Sequence, residues 1–352
     1  MPSRTGRGHV PGRVRLSHSP QQATSRHRRA RTQGGLWAAC SQHTHPVDLR
    51  VRHGVTYAAQ RASRDAPALW LARCAETVRR SISFGRMSAR FTPFHRGGTG
   101  SPLVCLHGFT DTWRTWELVL PELERHHDVF APTLIGHAGG PPLEGEVTDA
   151  LIPDAIARAM DNAGIARAHL VGNSLGGYVA LQLAARGRAD SVVAFAPAGG
   201  WSEGDAWFAD MLRSFAPMQA QLKLAAPRAQ AIAASESGRR RATELITTNF
   251  AHIPAELIAH QMLGVARCRA VEPMIDFALR EGYPLDVERI TCPVRIIWGT
   301  ADRVLPWPSA AHRFRAEGFP GADWIELDGI GHCPQLDVPT QAAQLIVGFT
   351  AR

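Results

Sequence analysis

The chain has 352 residues and a formal net charge of +8, but this charge is unevenly distributed. Residues 1–86 contain 16 of the 39 basic residues and three of the 31 acidic ones, whereas residues 87–352 contain 23 basic and 28 acidic residues. This distribution argues against a nucleic-acid surface on the main body, and no apolar run approaches the roughly 20 residues that span a bilayer. The six cysteines are scattered without a C-x-x-C pair, which argues against a disulfide framework and indicates a reducing compartment. We therefore expect a cytoplasmic protein.

The first 86 residues are rich in Arg, Ser, Gly, Pro and His and lack sustained hydrophobic periodicity. Such a composition buries too little apolar surface to offset the ordering entropy, so we predict disorder, apart from a short helix over 66–82. Met87 opens a stretch typical of a domain start, and we interpret residues 1–86 as an extension that an upstream start assignment adds to the native protein. A basic arm for nucleic acid or anionic membranes is the alternative. An export signal at Arg28-Arg29 is disfavoured because the following apolar segment is too short.

From residue 87 onwards, short apolar strands alternate with amphipathic helices. The pattern predicts strands at 90–95, 102–108, 128–131, 168–171, 191–196, 294–298 and 324–327, and helices at 112–124, 148–162, 178–186, 308–317 and 339–350. This alternation predicts an α/β fold with a mostly parallel sheet flanked by helices, whose functional loops lie at the strand C-termini. Residues 200–285 show helical patterns without a strand. We expect them to form a helical cap inserted between two parts of the core, residues 87–199 and 286–352.

The stretch Gly172-Asn-Ser-Leu-Gly176 follows a predicted buried strand and leads into a helix. A G-x-S-x-G sequence in this context is typical of a nucleophile elbow, because its glycines allow a sharp turn that exposes Ser174. A serine in an ordinary Gly-rich turn is the alternative. A nucleophilic serine needs a base within hydrogen-bond reach and an acid that orients the base. His332 and Asp302 are candidates, since each follows a predicted strand at the edge of the sheet where Ser174 emerges.

Five motifs, in this order, resemble the α/β-hydrolase family: His107-Gly-Phe109, Gly136-His-Ala-Gly-Gly140, Gly172-Asn-Ser-Leu-Gly-Gly177, Gly299-Thr-Ala-Asp302 and Gly331-His332. The resemblance covers residues 90–352. It implies that Ser174 is the nucleophile, that His332 is the general base and then the general acid, and that Asp302 orients His332. It further implies an oxyanion hole made by the backbone N–H groups of Phe109 and Leu175.

The same resemblance leaves some roles open. It implies that His107 and His137 brace their loops rather than react. Glu203 or Asp205 is an alternative position for the acid, as in some relatives. No metal or organic cofactor is expected.

The expected reaction is hydrolysis of an ester, thioester or related acyl substrate through an acyl-enzyme, as in a carboxylesterase-like serine hydrolase. A small, apolar substrate would enter beneath the cap, where the candidate pocket residues are Trp113, Trp201, Met211 and Phe215. The alternative is that these side chains form the cap's own core, since apolar residues are usually simply buried.

Ser174 disfavours haloalkane dehalogenase and epoxide hydrolase chemistry, because those relatives place Asp at the elbow. Carbon–carbon bond hydrolysis, lactonase, perhydrolase-type and amidase activities remain open. So do a non-catalytic hydrolase-like binding protein and a nucleic-acid-binding role for residues 1–86. For the core we expect no nucleic-acid or membrane partner, and the oligomeric state is left undetermined.

Overall fold

The computed structural model describes residues 90–202, 204–319 and 321–351. The predictions made for residues 1–86 lie outside this part of the chain. The described residues form a seven-stranded sheet in which the strands are ordered β1-β3-β2-β4-β5-β6-β7. Its strands are β1 (Phe94–Gly97), β2 (Ser101–Leu106), β3 (His127–Pro132), β4 (Ala168–Asn173), β5 (Ala189–Phe195), β6 (Val294–Gly299) and β7 (Asp323–Leu327). The β1–β3 pair is antiparallel and every other pair is parallel.

Helices cover both faces of the sheet, as the alternating pattern predicts. In chain order they are α1 (Leu120–Leu123), α2 (Leu151–Asn162), α3 (Leu175–Ala185), α4 (Ala206–Ala225), α5 (Ala229–Ala234), α6 (Glu236–Thr243), α7 (Ala255–Arg267), α8 (Val271–Glu281), α9 (Pro334–Asp337) and α10 (Pro339–Thr350). The five helices from α4 to α8 all lie between β5 and β6, with no strand among the residues described there. No helix in the described ranges is long and apolar enough to cross a bilayer.

The core consists of two layers because successive strand residues point to opposite faces of the sheet. Val104 and Leu170 are fully buried on one face with the apolar sides of α2 and α3. Leu103 and Val171, their immediate neighbours, are fully buried on the other face with α1 and α10. Strands that are covered on both faces are expected to be near-continuous apolar runs, as these are.

Two predicted helices differ from the observed structure. The stretch 112–124 contains a 3₁₀ turn, Trp113–Trp116, and the separate one-turn helix α1. Pro121 lies in the first turn of α1, where its missing N–H is tolerated, whereas inside a longer helix it would break the hydrogen-bond ladder. The stretch 308–317 contains a 3₁₀ turn and a π-helical turn. There the backbone N–H of Arg313 donates to the carbonyl of Gly200 at 2.7 Å rather than within a helix.

Candidate active site

Ser174 is the single residue between the end of β4 and the start of α3. Its backbone has φ +55° and ψ −117°, a conformation that a side chain disfavours by about 1–3 kcal/mol. Two glycines allow the tight turn: a Cβ on Gly172 would overlap the backbone of Gly176, and a Cβ on Gly176 would overlap the carbonyl of Leu106. The backbone N–H of Ser174 donates to the carbonyl of Phe195 at 2.9 Å. The turn therefore holds Ser174 in a strained conformation at the C-terminal edge of the sheet.

Asp302 and His332 come together at this same edge, because they follow the parallel neighbours β6 and β7. The Nδ1 atom of His332 is 2.7 Å from Oδ2 of Asp302, and both side chains are at most 5% exposed. The other oxygen of Asp302 accepts hydrogen bonds from the backbone N–H groups of Val304 and Leu305, at 2.8 and 2.7 Å. The carboxylate is thus fixed by three donors, and it directs the Nδ1 proton of His332 towards itself. This leaves Nε2 of His332 as the basic nitrogen.

Asn173 connects the serine turn to the histidine loop. Its Nδ2 donates to the carbonyl of His332 at 3.0 Å and to the carbonyl of Phe195 at 3.2 Å. Its Oδ1 accepts from the thiol of Cys333 and from Nε2 of Gln335, both at 3.2 Å. Burial raises the pKa of the Cys333 thiol well above its usual value, so this thiol is an inert donor. Asn173, which directly precedes Ser174, therefore holds the backbone of His332.

The loop after β2 lies against the serine turn. Nε2 of His107 accepts from the backbone N–H of Leu134 at 2.9 Å, so Nδ1 carries the proton and donates to the carbonyl of Gly108 at 2.8 Å. Burial lowers the pKa of His107 well below its usual value and keeps the ring neutral. Because a trans peptide is planar, the N–H of Phe109 points away from that carbonyl. A Cβ on Gly108 would lie 3.4 Å from Cβ of Ser174, so this peptide is adjacent to the serine.

Leu175 provides a second backbone donor beside the serine. It is the first residue of α3, where the N–H has no acceptor within the helix and the helix dipole is positive. Phe109, Ser174 and Leu175 all line one pocket. The arrangement is suited to binding a negatively charged oxygen next to the Ser174 hydroxyl.

Neither alternative position for the acid has a described contact with His332. Asp205 caps α4 by accepting a hydrogen bond from the N–H of Trp207 at 2.9 Å, so its carboxylate is used in the helix cap. Glu203 lies outside the described residues.

His137 makes a 3.0 Å contact from Nδ1 to the carbonyl of Ile135 and packs edge-on against the rings of His107 and Phe109. Burial lowers the pKa of His137 to about 4, so its ring is neutral and braces the loop.

The pocket beside Ser174 is lined mainly by apolar side chains. About 750 Å³ of space lies within its lining, and part of this space is open solvent. Three of the four expected pocket residues line it, namely Trp201, Met211 and Phe215. Trp113 does not: its ring stacks on His95 with centroids 5.0 Å apart, and its indole N–H donates to Thr92 at 2.8 Å. The indole N–H of Trp113 binds Thr92, which precedes β1, and the side chain therefore lies away from the pocket.

Asp337 is a buried carboxylate that the sequence pattern does not indicate. It is fully buried and accepts from the N–H of Gly331 at 2.7 Å, from the N–H and hydroxyl of Thr248 at 3.0 Å each, and from the N–H of Asn249 at 2.6 Å. The carbonyl of Ile246 accepts from the N–H of Cys333 at 2.9 Å. The segment 246–249, between α6 and α7, is therefore fastened to both sides of His332. A lone Asp in a Pro-Gln-Leu-Asp turn carries no sequence signal for these remote partners.

The parallel sheet order, the strained serine turn after β4 and the Asp–His pair after β6 and β7 together define an α/β-hydrolase architecture. The chain belongs to the alpha/beta hydrolase family, whose sequence profile matches residues 103–345. Within the described residues, no group of three or more His, Cys, Asp or Glu side chains is arranged to hold a metal ion.

Named relatives differ in the reactions that their names state. The chain is 30% identical to epoxide hydrolase EphH of Mycobacterium tuberculosis over 211 residues, and this alignment covers 58% of this chain and 95% of that protein. It is 36% identical over 99 residues to 2-hydroxymuconate semialdehyde hydrolase of Pseudomonas sp. strain CF600, covering 27% of this chain and 35% of that protein. The solved structure of 2-hydroxy-6-oxo-6-phenylhexa-2,4-dienoate hydrolase from Rhodococcus sp. strain RHA1 superimposes with a TM-score of 0.60 at 19% identity, over 74% of this chain and 97% of that one. This last similarity concerns the fold alone.

Proposed function

We propose that the protein hydrolyses an uncharged ester or related acyl compound through an acyl-enzyme formed on Ser174. The observation that carries this proposal is the buried 2.7 Å contact between Asp302 and His332 at the sheet edge that also holds the strained Ser174 turn. A serine hydroxyl becomes a competent nucleophile when such an oriented imidazole accepts its proton.

In the proposed reaction, Oγ of Ser174 attacks the substrate carbonyl while Nε2 of His332 takes the hydroxyl proton. The tetrahedral oxyanion is held by the backbone N–H groups of Phe109 and Leu175. His332 then gives its proton to the leaving alcohol, and the carbonyl re-forms as an acyl-enzyme. Water then attacks the acyl carbonyl while Nε2 of His332 takes its proton; the bond to Oγ of Ser174 breaks, His332 gives the proton to that oxygen, and the acid is released. Asp302 holds the imidazole in place and stabilises the imidazolium that forms.

Epoxide opening, the reaction in the name of EphH, is not productive with a serine nucleophile. Attack of a hydroxyl oxygen on an epoxide carbon gives an ether, which has no carbonyl for water to attack. A carboxylate nucleophile gives an ester, which water can hydrolyse. Ser174 therefore favours acyl chemistry over the reaction named for that relative.

Carbon–carbon bond hydrolysis is the second candidate, supported by the similarity to 2-hydroxymuconate semialdehyde hydrolase. The solved homologue of this kind is named for a dienoate, which is a carboxylate substrate. The residues that line the pocket beside Ser174 include Asp149 but no Arg, Lys or His among the described side chains. A pocket without a cation favours an uncharged substrate, because an unpaired carboxylate is costly to bury.

The test is turnover of p-nitrophenyl esters and labelling by a fluorophosphonate. Ser174→Ala should abolish both, whereas Ser309→Ala, which removes an exposed serine away from the pocket, should change neither. Undiminished labelling of Ser174→Ala would refute the nucleophile assignment. No labelling and no turnover by the unaltered protein would favour a hydrolase-like binding protein. A vinylogous 1,5-diketone that is cleaved faster than every ester would favour the carbon–carbon bond reaction.

A further inference from the structure

The pocket runs along α3, away from the nucleophile. The residues of this segment that line it are Ser174, Leu175, Tyr178, Val179 and Gln182. They are spaced i, i+1, i+4, i+5 and i+8, so they form one face of the helix. At about 1.5 Å of rise per residue, Gln182 lies ~12 Å along the axis from Ser174. The pocket thus continues for about two helical turns beyond the reacting hydroxyl.

The walls along this length are apolar. Ile152 and Pro153 at the start of α2 form one side, and Met274, Ile275 and Ala278 on the inward side of α8 form another. These wall side chains carry no hydrogen-bonding group, so they are suited to binding a hydrocarbon chain. The free energy of binding comes from removing that chain from water.

The end opposite Ser174 is polar. Gln182, Thr148 and Asp149 line it, and Nε2 of Gln182 donates to the backbone carbonyl of Asp149 at 3.3 Å. Thr148 and Asp149 are exposed, so this end of the pocket reaches the surface of the described structure. Asp149 provides a negative charge where the end of a bound chain would lie.

Resting on the proposed function, we infer that the substrate is a medium-chain acyl ester whose chain lies along α3, with Val179 and Gln182 setting its length. An extended chain of three bonds spans about 3.5 Å, so ~12 Å corresponds to about ten bonds between the carbonyl and Gln182. The chain is uncharged at its end, because a terminal carboxylate would face Asp149. Tyr178, whose hydroxyl donates to the carbonyl of Pro284 at 2.5 Å, presents its ring midway along this path.

The experiment measures kcat/KM for p-nitrophenyl esters from the acetate to the palmitate. For the unaltered protein, each added methylene should raise kcat/KM by about two- to fourfold up to about ten carbons, with no further gain beyond. Val179→Phe fills the middle of the path and should lower the decanoate-to-acetate ratio of kcat/KM by at least about tenfold. Gln182→Ala removes one of the three polar side chains at the far end and should extend the gain to longer chains. Ser214→Phe adds the same ring to the exposed side of α4 and should leave the ratio unchanged.

Three results would overturn the inference. The first is an unaltered chain-length profile in Val179→Phe, and the second is a ten-carbon monoester with a terminal carboxylate that is turned over as fast as the decanoate. The third is a gain with chain length in a series of alkyl acetates that the p-nitrophenyl series does not show. Labelling by a small fluorophosphonate reports whether each variant has an assembled site. A labelled protein with a flat chain-length profile refutes this inference and leaves the proposed function standing. A protein that is neither labelled nor active refutes the proposed function.

Discussion

Asp337 provides the sharpest test of how His332 is positioned. Asp337→Asn keeps the shape of the side chain but replaces one acceptor oxygen by an NH₂ donor. In either orientation of the amide, at least one of the backbone N–H groups of Gly331, Thr248 and Asn249 then faces another donor inside the protein. A hydrogen bond to a charged group contributes about 1.5–3 kcal/mol, so we expect the free energy of unfolding to fall by about that amount.

The expected effect on activity follows because both orientations weaken the hold on the His332 loop. With the NH₂ at the Oδ2 position the N–H of Gly331, directly before His332, loses its 2.7 Å hydrogen bond. With the NH₂ at the Oδ1 position the segment 246–249, which binds the N–H of Cys333, loses its contact through Asn249. Either loss lets the imidazole move relative to Ser174. A misplacement of about 1 Å can cost on the order of 100-fold in rate. We expect kcat to fall by about 10- to 100-fold, with KM for a p-nitrophenyl ester nearly unchanged.

Asp323→Asn is the matched control. Asp323 binds the buried guanidinium of Arg295 at the opposite edge of the sheet. Its loss should lower the free energy of unfolding, measured by urea denaturation, but leave kcat within about twofold. The reasoning is refuted if Asp337→Asn loses stability while its kcat stays within twofold of the unaltered protein. Rescue of kcat by Asp337→Glu is not expected, because the longer side chain has no room in a fully buried site.

Three further predictions concern the core and the candidate site. Asp302→Asn should keep the fold but lower kcat for esters by about 10⁴-fold, since the amide no longer holds the productive tautomer of His332; a tenfold loss or less would show that another acid orients the ring. Gly176→Ala should lower the free energy of unfolding by about 3 kcal/mol or more, because its Cβ overlaps the Leu106 carbonyl, whereas Gly348→Ala, with open space around it in α10, should raise it by about 0.5–1 kcal/mol; equal urea midpoints would contradict this. Burial holds the pKa of His137 at about 4 in the folded chain, so between pH 6.5 and 4 the unfolded chain binds a proton at residue 137 that the folded chain does not. The free energy of unfolding should therefore decrease by up to about 3 kcal/mol as the pH is lowered across this window. His137→Phe should flatten this pH dependence in urea titrations, and an unchanged slope would contradict the prediction.

The fold was predictable where the sequence alternates strongly between apolar strands and helices. The helix at 339–350 matches α10, and the strands around Ser174, Asp302 and His332 lie where the pattern indicates. Local spacing sufficed for these because each depends on burial of its own residues. The prediction of one helix at 112–124 was wrong because Pro121 is tolerated only in the first turn of a separate helix, although the proline is visible in the sequence.

The parts of the site that were not predictable depend on partners remote in the chain. Asn173 binds the carbonyl of His332, 159 residues away, and Asp337 binds Thr248 across 89 residues. No local pattern reports such pairings. Trp113 shows the same limit in reverse: an aromatic residue near the Phe109 loop suggests a pocket, but its side chain turns towards Thr92 and His95.

The inserted helices divide two tasks between separate segments. The segment 246–249 is fastened to the histidine loop through Asp337, whereas the pocket walls come from α4 and α8. The pocket-lining residues of α4 and α8 pack in a different apolar cluster from Ile246 and Cys333, so we expect mutations at those positions to accumulate without shifting His332. During divergence, such a chain can change the molecules it accepts while it keeps its chemistry. In directed evolution, the inward sides of these two helices are accordingly where a library for new substrates should be concentrated.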